Sequence, residues 1–91
     1  ELIINGTNFR GIKTIALLTD VGANVASISI DPNSPPAGII VNALGTQITM
    51  TKAAIEDANA TWLTTAWTNR RIAVYSAGDR NATTPILNVG K

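Results

Sequence analysis

The residue types that most often carry out enzymatic chemistry are scarce in this chain. It contains no histidine and no cysteine, so the commonest general base and the thiol nucleophile are both absent. Six carboxylate residues remain, and among them only Glu56 and Asp57 are adjacent. That pair lacks further ligands at a spacing a metal ion could use, so a solvated helix or turn is the favoured interpretation. The sequence therefore predicts a protein that is not an enzyme, with no catalytic residue, no metal site and no cofactor.

Basic residues could bind nucleic acid, but here they are few and scattered. The formal net charge is +1, and Arg70 and Arg71 form the only adjacent basic pair. Nucleic-acid binding requires a basic stripe or patch, which this spacing does not supply. No apolar run approaches the ~20 residues that a membrane-spanning helix needs. We therefore expect no nucleic-acid partner and no membrane span.

Two tryptophans are candidates for a binding surface. Trp62 and Trp67 are five positions apart, and an exposed pair would indicate stacking on a carbohydrate or a contact with another subunit. Tryptophan is highly buried on average and often fills the centre of a β-sandwich, so burial in the core is the favoured interpretation. Two loops are further candidates for glycan or protein binding, around Pro35-Pro36 and around Asp79-Arg80.

Three triplets match the acceptor sequence for N-glycosylation, beginning at Asn5, Asn59 and Asn81. Such triplets arise by chance in a chain rich in threonine and asparagine. They matter only if the protein is made in a glycosylating host.

The elements that would position these residues are short strands. Apolar runs, several with a period of two, are separated by turn residues at spacings of about ten, which predicts seven or eight strands in a sandwich or small barrel. The run 12–18 is apolar on both predicted faces, and 39–44 with 47–51 predicts a hairpin. Trp67 and Ile72 are predicted core residues. The strands read from the sequence are 2–4, 12–18, 25–30, 39–44, 47–51, 71–75 and 85–89.

Between the strands, the sequence predicts one short helix and several loops. Residues 52–60 contain strong helix formers, and Thr51 is a candidate N-cap; the alternative is that the preceding strand continues to Ile55. The proline-rich stretch 31–38 predicts an exposed loop that crosses between sheets. Residues 76–84 are predicted to form a polar loop, with Pro85 at the start of the last strand. Phe9 is predicted to fold back onto the edge of the core.

Two segments carry a resemblance to a known family. The motif Gly6-Thr7-Asn8-Phe9-x-Gly11 resembles the opening signature of IPT/TIG domains, and Trp67-Thr68 followed by Ile72 and Val74 is similar to a later segment of that family. Between Asp20 and Ala66 the chain is longer than the family's middle region. The resemblance implies an immunoglobulin-like sandwich whose last strand is 85–89. It also implies a spacer or binding module of cell-surface, extracellular or bacteriophage proteins, without catalytic residues.

Together these observations predict a single immunoglobulin-like antiparallel β-sandwich domain over residues 1–91. The chain opens on Glu1 inside an apolar run, so we expect a fragment of a longer protein. Charged residues make up 14%, well below the usual ~25%, which favours an extracellular, cell-surface or virion protein. The predicted function is a non-catalytic structural or assembly module whose partners are neighbouring domains or subunits. The alternative is a module that binds a glycan or a surface protein through exposed loops or tryptophans, at residues the sequence does not assign.

Overall fold

A computed structural model describes residues 1–7, 9–31, 33, 34, 36–76 and 79–86, and for Ser76 and residues 79–86 it describes the backbone alone. Short strands dominate this part of the chain, with two short helices between the fifth and sixth strands. In chain order the elements are β1 (Leu2–Asn5), β2 (Thr14–Leu18), β3 (Asn24–Ser29), β4 (Ile39–Val41), β5 (Gln47–Met50), α1 (Lys52–Asn59), α2 (Thr61–Thr64), β6 (Arg70–Ser76) and β7 (Asp79–Ile86).

The strands form two antiparallel sheets. One is three-stranded with the order β1-β5-β4, and the other is four-stranded with the order β3-β2-β6-β7. β4 and β5 pair as the predicted hairpin, although β4 ends at Val41 and is therefore shorter than the predicted run 39–44. The prediction of a mostly β, antiparallel domain is confirmed.

The inner faces of both sheets contribute to one buried cluster. The pleat of β1 buries Leu2 and Ile4 and exposes Ile3 and Asn5. The cluster also contains Trp62, Trp67 and Phe9, each at most 1% exposed, so the predicted core positions of Trp67, Ile72 and Phe9 are confirmed. The strand residues of the cluster are Leu2, Ile4, Ile39, Ile48 and Met50 from one sheet and Ile15, Leu17, Ala26, Ile28, Ile72 and Val74 from the other.

β2 is buried on both of its faces, as its apolar pattern predicted. Ile15 and Leu17 belong to the main core. On the other face, Ala16 and Leu18 form a second small cluster with Ala73 of β6, and Tyr75 packs against it. The central position of β2, between β3 and β6, explains why it reads as a continuous apolar run rather than an alternating one.

The predicted helix is present as α1, and the alternative that the strand continues to Ile55 is wrong. The Oγ1 of Thr51 accepts a hydrogen bond from the backbone N–H of Ala54 at 3.1 Å, which caps the first turn. α1 buries Ala54 and Ile55 against the core. The sequence did not predict α2, a four-residue turn of helix that buries Trp62.

The cap makes a prediction. Replacing Thr51 with alanine leaves the N–H of Ala54 without its partner and should lower the free energy of unfolding by about 1 kcal/mol. Thr51→Ser keeps the hydroxyl, and we expect it to lose much less. Urea unfolding followed by circular dichroism measures both variants; equal losses for serine and alanine would show that the hydroxyl does not stabilise α1.

The predicted loop at 76–84 is wrong, because β7 runs through most of it and pairs with β6. Asp79 is in register with Ser76, Arg80 with Tyr75 and Pro85 with Arg71. Pro85 is therefore near the end of its strand, not at its start, and β7 is an edge strand, where proline is tolerated. Polarity led to the loop prediction, but β-branched threonines favour strands and β6 offers a free edge to pair with. Residues 87–89 of the predicted last strand lie outside the described residues.

Candidate association surface

The strands of the three-stranded sheet contribute no charged side chain to its outer face. None of its strands contains a lysine, arginine, aspartate or glutamate. The alternation of buried and accessible residues places every second side chain on this outer side. We call it the uncharged face and define it by Ile3, Asn5, Ile40, Asn42, Gln47 and Thr49.

An apolar row crosses the middle of the uncharged face. Thr49 of β5 is in register with Ile3 of β1 and with Ile40 of β4, so the three side chains lie side by side. Ile3 is 48% exposed and Ile40 is 62% exposed. The two exposed isoleucines flank Thr49 on one face of the sheet, which makes this row a candidate surface for contact with another molecule.

Three polar side chains of the uncharged face, those of Asn5, Asn42 and Gln47, are already hydrogen-bonded to one another or to the backbone. Gln47 donates from Nε2 to the Oδ1 of Asn5 at 3.1 Å. The Oδ1 of Asn42 accepts from the backbone N–H of Thr46 at 2.8 Å and of Gln47 at 3.2 Å. Burying a polar group that keeps its partner costs far less than burying one that loses it. This face can therefore be covered by a partner at low desolvation cost.

The hairpin between β4 and β5 holds a third exposed apolar residue, Leu44, which is 76% exposed. The loop that follows β1 is hydrogen-bonded to this hairpin. The N–H of Gly6 donates to the carbonyl of Thr46 at 3.0 Å, and Arg10 donates from Nε to the carbonyl of Ala43 at 3.0 Å. The loop that follows β1 is therefore bonded to the residues on both sides of Leu44.

An apolar groove of about 580 Å³ lies beside the uncharged face, and Ile40 contributes to both. The groove is lined by Ile12, which precedes β2, by Ile30, which follows β3, and by residues 36–41. Pro36, half of the predicted Pro35-Pro36 recognition site, lines this groove, whereas Pro35 lies outside the described residues. The groove suits an apolar side chain better than a polyhydroxylated ligand.

The structure does not bring the other sequence candidates together as a site. Trp62 and Trp67 are 0% and 1% exposed, so neither offers a ring to a sugar, and the exposed-tryptophan alternative is wrong. Glu56 and Asp57 are exposed on α1, and within the described part of the chain no group of three or more histidine, cysteine, aspartate or glutamate residues could hold a metal ion. Asp79 and Arg80, predicted in a loop, begin β7 instead.

The asparagines of two glycosylation triplets, Asn5 and Asn59, make hydrogen bonds within the domain. Asn59 donates from Nδ2 to the backbone carbonyl of Ser27 at 3.0 Å and accepts from the N–H of Thr61 at 3.1 Å. Its amide is therefore committed to the end of α1 and the neighbouring strand β3. Asn5 belongs to the uncharged face, and the side chain of Asn81 lies outside the described residues.

Sequence reasoning missed the uncharged face, although a signal for it exists. The segments Leu2–Asn5, Ile39–Val41 and Gln47–Met50 carry no charge, but only the sheet order shows that they are neighbours. Among the described residues, no helix has the length and apolar character needed to cross a membrane. Comparisons of this chain with protein-family models, with curated proteins and with solved structures found no match.

Proposed function

We propose that this domain is a non-catalytic structural or assembly module that works by laying its uncharged face against a neighbouring domain or subunit. The observation that carries the proposal is the row Ile3–Thr49–Ile40 in a sheet without charged residues. The setting we propose is an extracellular, cell-surface or bacteriophage virion protein, in keeping with the low content of charged residues.

Desolvation explains why such a face is suited to permanent contact. Burying an unpaired charge at an interface costs several kcal/mol, and the strands of this face contain none. Interface cores are depleted in charged residues compared with the remaining surface. The hydrogen bonds that already link Gln47 to Asn5 and Asn42 to its own hairpin can persist under a partner. Removing the apolar row from water then provides the net gain.

We further propose that the two sheets form an immunoglobulin-like sandwich. In that fold one sheet holds strands A, B, E and D, and the other holds G, F and C, with C′ added in the variable type. The order β1-β5-β4 corresponds to B-E-D, and β3-β2-β6-β7 corresponds to C′-C-F-G. Strand A has no counterpart among the described strands. The buried Phe9 in the Gly6–Gly11 segment supports the IPT/TIG resemblance.

A pair of matched variants tests the role of the uncharged face. Ile40→Lys places a charge at the centre of the apolar row and should weaken association with the parent assembly by about tenfold or more. Val21→Lys is the control, because Val21 is 87% exposed on the turn between β2 and β3, away from this sheet. Light scattering on each variant, alone and mixed with the rest of the parent assembly, measures the effect.

The contact should also be nearly insensitive to salt, since few charges are available to be screened. Association that weakens steeply between low and high salt would contradict the proposal. So would equal losses for Ile40→Lys and Val21→Lys.

The second candidate function is binding of a protein segment, favoured by the apolar groove between Pro36, Ile12 and Ile40. It would make the domain an adhesion module rather than an assembly module. A domain that ignores its parent assembly but binds a surface protein through this groove would replace the first proposal with the second.

A further inference from the structure

Among the described strands the two sheets have four edge strands, and three of these carry a feature that hinders pairing with another strand. An edge strand exposes unpaired N–H and C=O groups, and proteins usually block such edges with loops, helices, prolines or irregular register. The edge strands here are β1 and β4 in one sheet and β3 and β7 in the other. Comparing them shows which edge is open to a further strand.

β4 is covered at its first residue by its own preceding loop. The backbone groups of Ile40 point toward β5, because those of the residues two positions away on either side do so. The carbonyl of Gly38 accepts from the N–H of Thr51 and the N–H of Asn42 donates to the carbonyl of Gln47, both at 3.0 Å. The backbone groups of Ile39 therefore point away from β5, and its N–H donates to the carbonyl of Pro36 at 3.2 Å. This donor is not available to a partner.

The edges of the other sheet are protected differently. On β3, the outward carbonyl of Ser27 accepts from the side chain of Asn59, and α1 packs against the strand. β7 contains Pro85, and its register with β6 shifts between Val74 and Tyr75. A helix, a proline and a bulge are the devices that commonly prevent edge-to-edge pairing.

β1 has none of these devices. It contains no proline and no charge, and its register with β5 is regular from Leu2 to Asn5. The N–H of Gly6 donates to the carbonyl of Thr46. By the alternation of an antiparallel pair, the backbone N–H and C=O groups of Leu2 and Ile4 also point toward β5, while those of Ile3 and Asn5 point away from it. The outward backbone groups of Ile3 and Asn5 have no hydrogen-bond partner among the residues that the structure describes.

We propose that the open edge of β1 accepts one extended strand of another polypeptide segment, paired antiparallel, as the fourth strand of this sheet. The occupant is an uncharged segment that alternates apolar and small polar residues. Its apolar side chains lie beside Leu2 and Ile4, which belong to the core. Its polar side chains lie beside Ile3 and Asn5 and extend the uncharged face. Strand addition of this kind takes its affinity from main-chain hydrogen bonds and its specificity from alternate side chains.

This inference does not rest on the proposed function. Docking on the uncharged face uses side chains that point away from the sheet, whereas strand addition uses the backbone of β1. Ile40→Lys should therefore weaken docking and leave strand addition intact.

A synthetic peptide of alternating valine and threonine, with a lysine at each end for solubility, tests the inference. Amide hydrogen exchange of the protein is measured by nuclear magnetic resonance with and without the peptide. We expect exchange at Ile3 and Asn5 to slow by about tenfold or more as the peptide binds, while Ile39 and Ser27 are unaffected. Protection at β3, β4 or β7 instead, or none at peptide concentrations near 1 mM, a weak-binding limit, overturns the proposal.

Two further comparisons identify the pairing. In an antiparallel pair, the residues opposite Ile3 and Asn5 exchange the hydrogen bonds and share their side of the sheet. With valine on the core side, these residues are the threonines, so N-methylating the threonines should abolish binding and N-methylating the valines should not. The reverse result contradicts antiparallel pairing.

On the protein, Ile3→Pro removes one outward N–H, and Ile3→Thr keeps it. We expect the proline variant to bind the peptide about tenfold more weakly than the threonine variant, which controls for the lost side chain. If Ile3→Pro fails to fold, the N-methylated peptides still decide the matter with the unaltered protein. Protection of Ile3 that rises with protein concentration and without peptide would identify a second copy as the occupant, and would overturn the occupant proposed here.

Discussion

Replacing Trp67 with alanine is expected to lower the free energy of unfolding by about 3–5 kcal/mol. Trp67 is 1% exposed and lies in the cluster shared by both sheets. Its indole N–H donates to the backbone carbonyl of Trp62 at 2.7 Å, a buried hydrogen bond. Truncation therefore opens a large cavity and also leaves a buried carbonyl without its donor. The free energy of unfolding of a single domain is about 5–15 kcal/mol in total, so a loss of this size removes a large part of it.

Phenylalanine variants separate the cavity from the hydrogen bond. Trp67→Phe keeps most of the ring but removes the donor to the Trp62 carbonyl. Trp62→Phe also loses volume, but the N–H that it removes is buried and has no partner among the described residues, so no hydrogen bond is lost. We expect Trp67→Phe to destabilise the domain by about 1 kcal/mol more than Trp62→Phe, the usual net value of a hydrogen bond.

Urea unfolding measures all three variants, and each single variant retains one tryptophan as the fluorescent probe. A loss below about 0.5 kcal/mol for Trp67→Ala, the usual range for surface positions, would place this ring outside the core. It would also restore tryptophan stacking as a mode of binding. Equal losses for the two phenylalanine variants would show that the bond to the Trp62 carbonyl contributes nothing to stability.

The sequence was sufficient to predict the elements whose signals are local. The alternation of serine with Ala26, Ile28 and Ile30 predicted β3, and Thr51 before a run of helix formers predicted α1. These signals depend on the residue types within one turn or one pleat, so they survive in the folded chain.

Features that depend on the pairing of distant strands could not be predicted in this way. β7 is polar, and it becomes a strand because β6 supplies an edge with matching hydrogen bonds. The uncharged face exists because three charge-free segments meet in the order β1-β5-β4. Its exposure, and the open edge of β1, depend on which strands are neighbours, and a single sequence does not specify that order.

The segment Gly6–Gly11 combines local and distant constraints. Phe9 is 0% exposed, and its ring lies against Gly6: a Cβ placed on Gly6 would be 2.5 Å from the Cζ of Phe9. The N–H of Phe9 donates to the carbonyl of Gly45 at 2.9 Å, which joins the loop to the β4–β5 hairpin. A glycine three residues before the phenylalanine is therefore needed so that the ring can fold back onto the core.

Phe9→Ala is accordingly expected to cost about 3–5 kcal/mol, and Gly6→Ala about 1–3 kcal/mol through overpacking against the ring. These two losses should not add. With Phe9 replaced by alanine, the atoms that clash with a Cβ at position 6 are gone. Gly6→Ala should then cost at least 1 kcal/mol less than it does in the unaltered protein, a coupling typical of residues in contact.

Gly11→Ala is the control for this cycle. Gly11 has a φ of +69°, but a Cβ at this position would meet nothing within 4 Å. Its replacement introduces backbone strain without a clash, so its cost should be the same with Phe9 present or absent. Urea unfolding of the single and double variants gives the coupling energy between positions 6 and 9 and the coupling energy between positions 11 and 9. Additive losses for Gly6 and Phe9 would mean that the ring does not rest on Gly6, and the structural argument for the Gly6-x-x-Phe9 motif would fail with it.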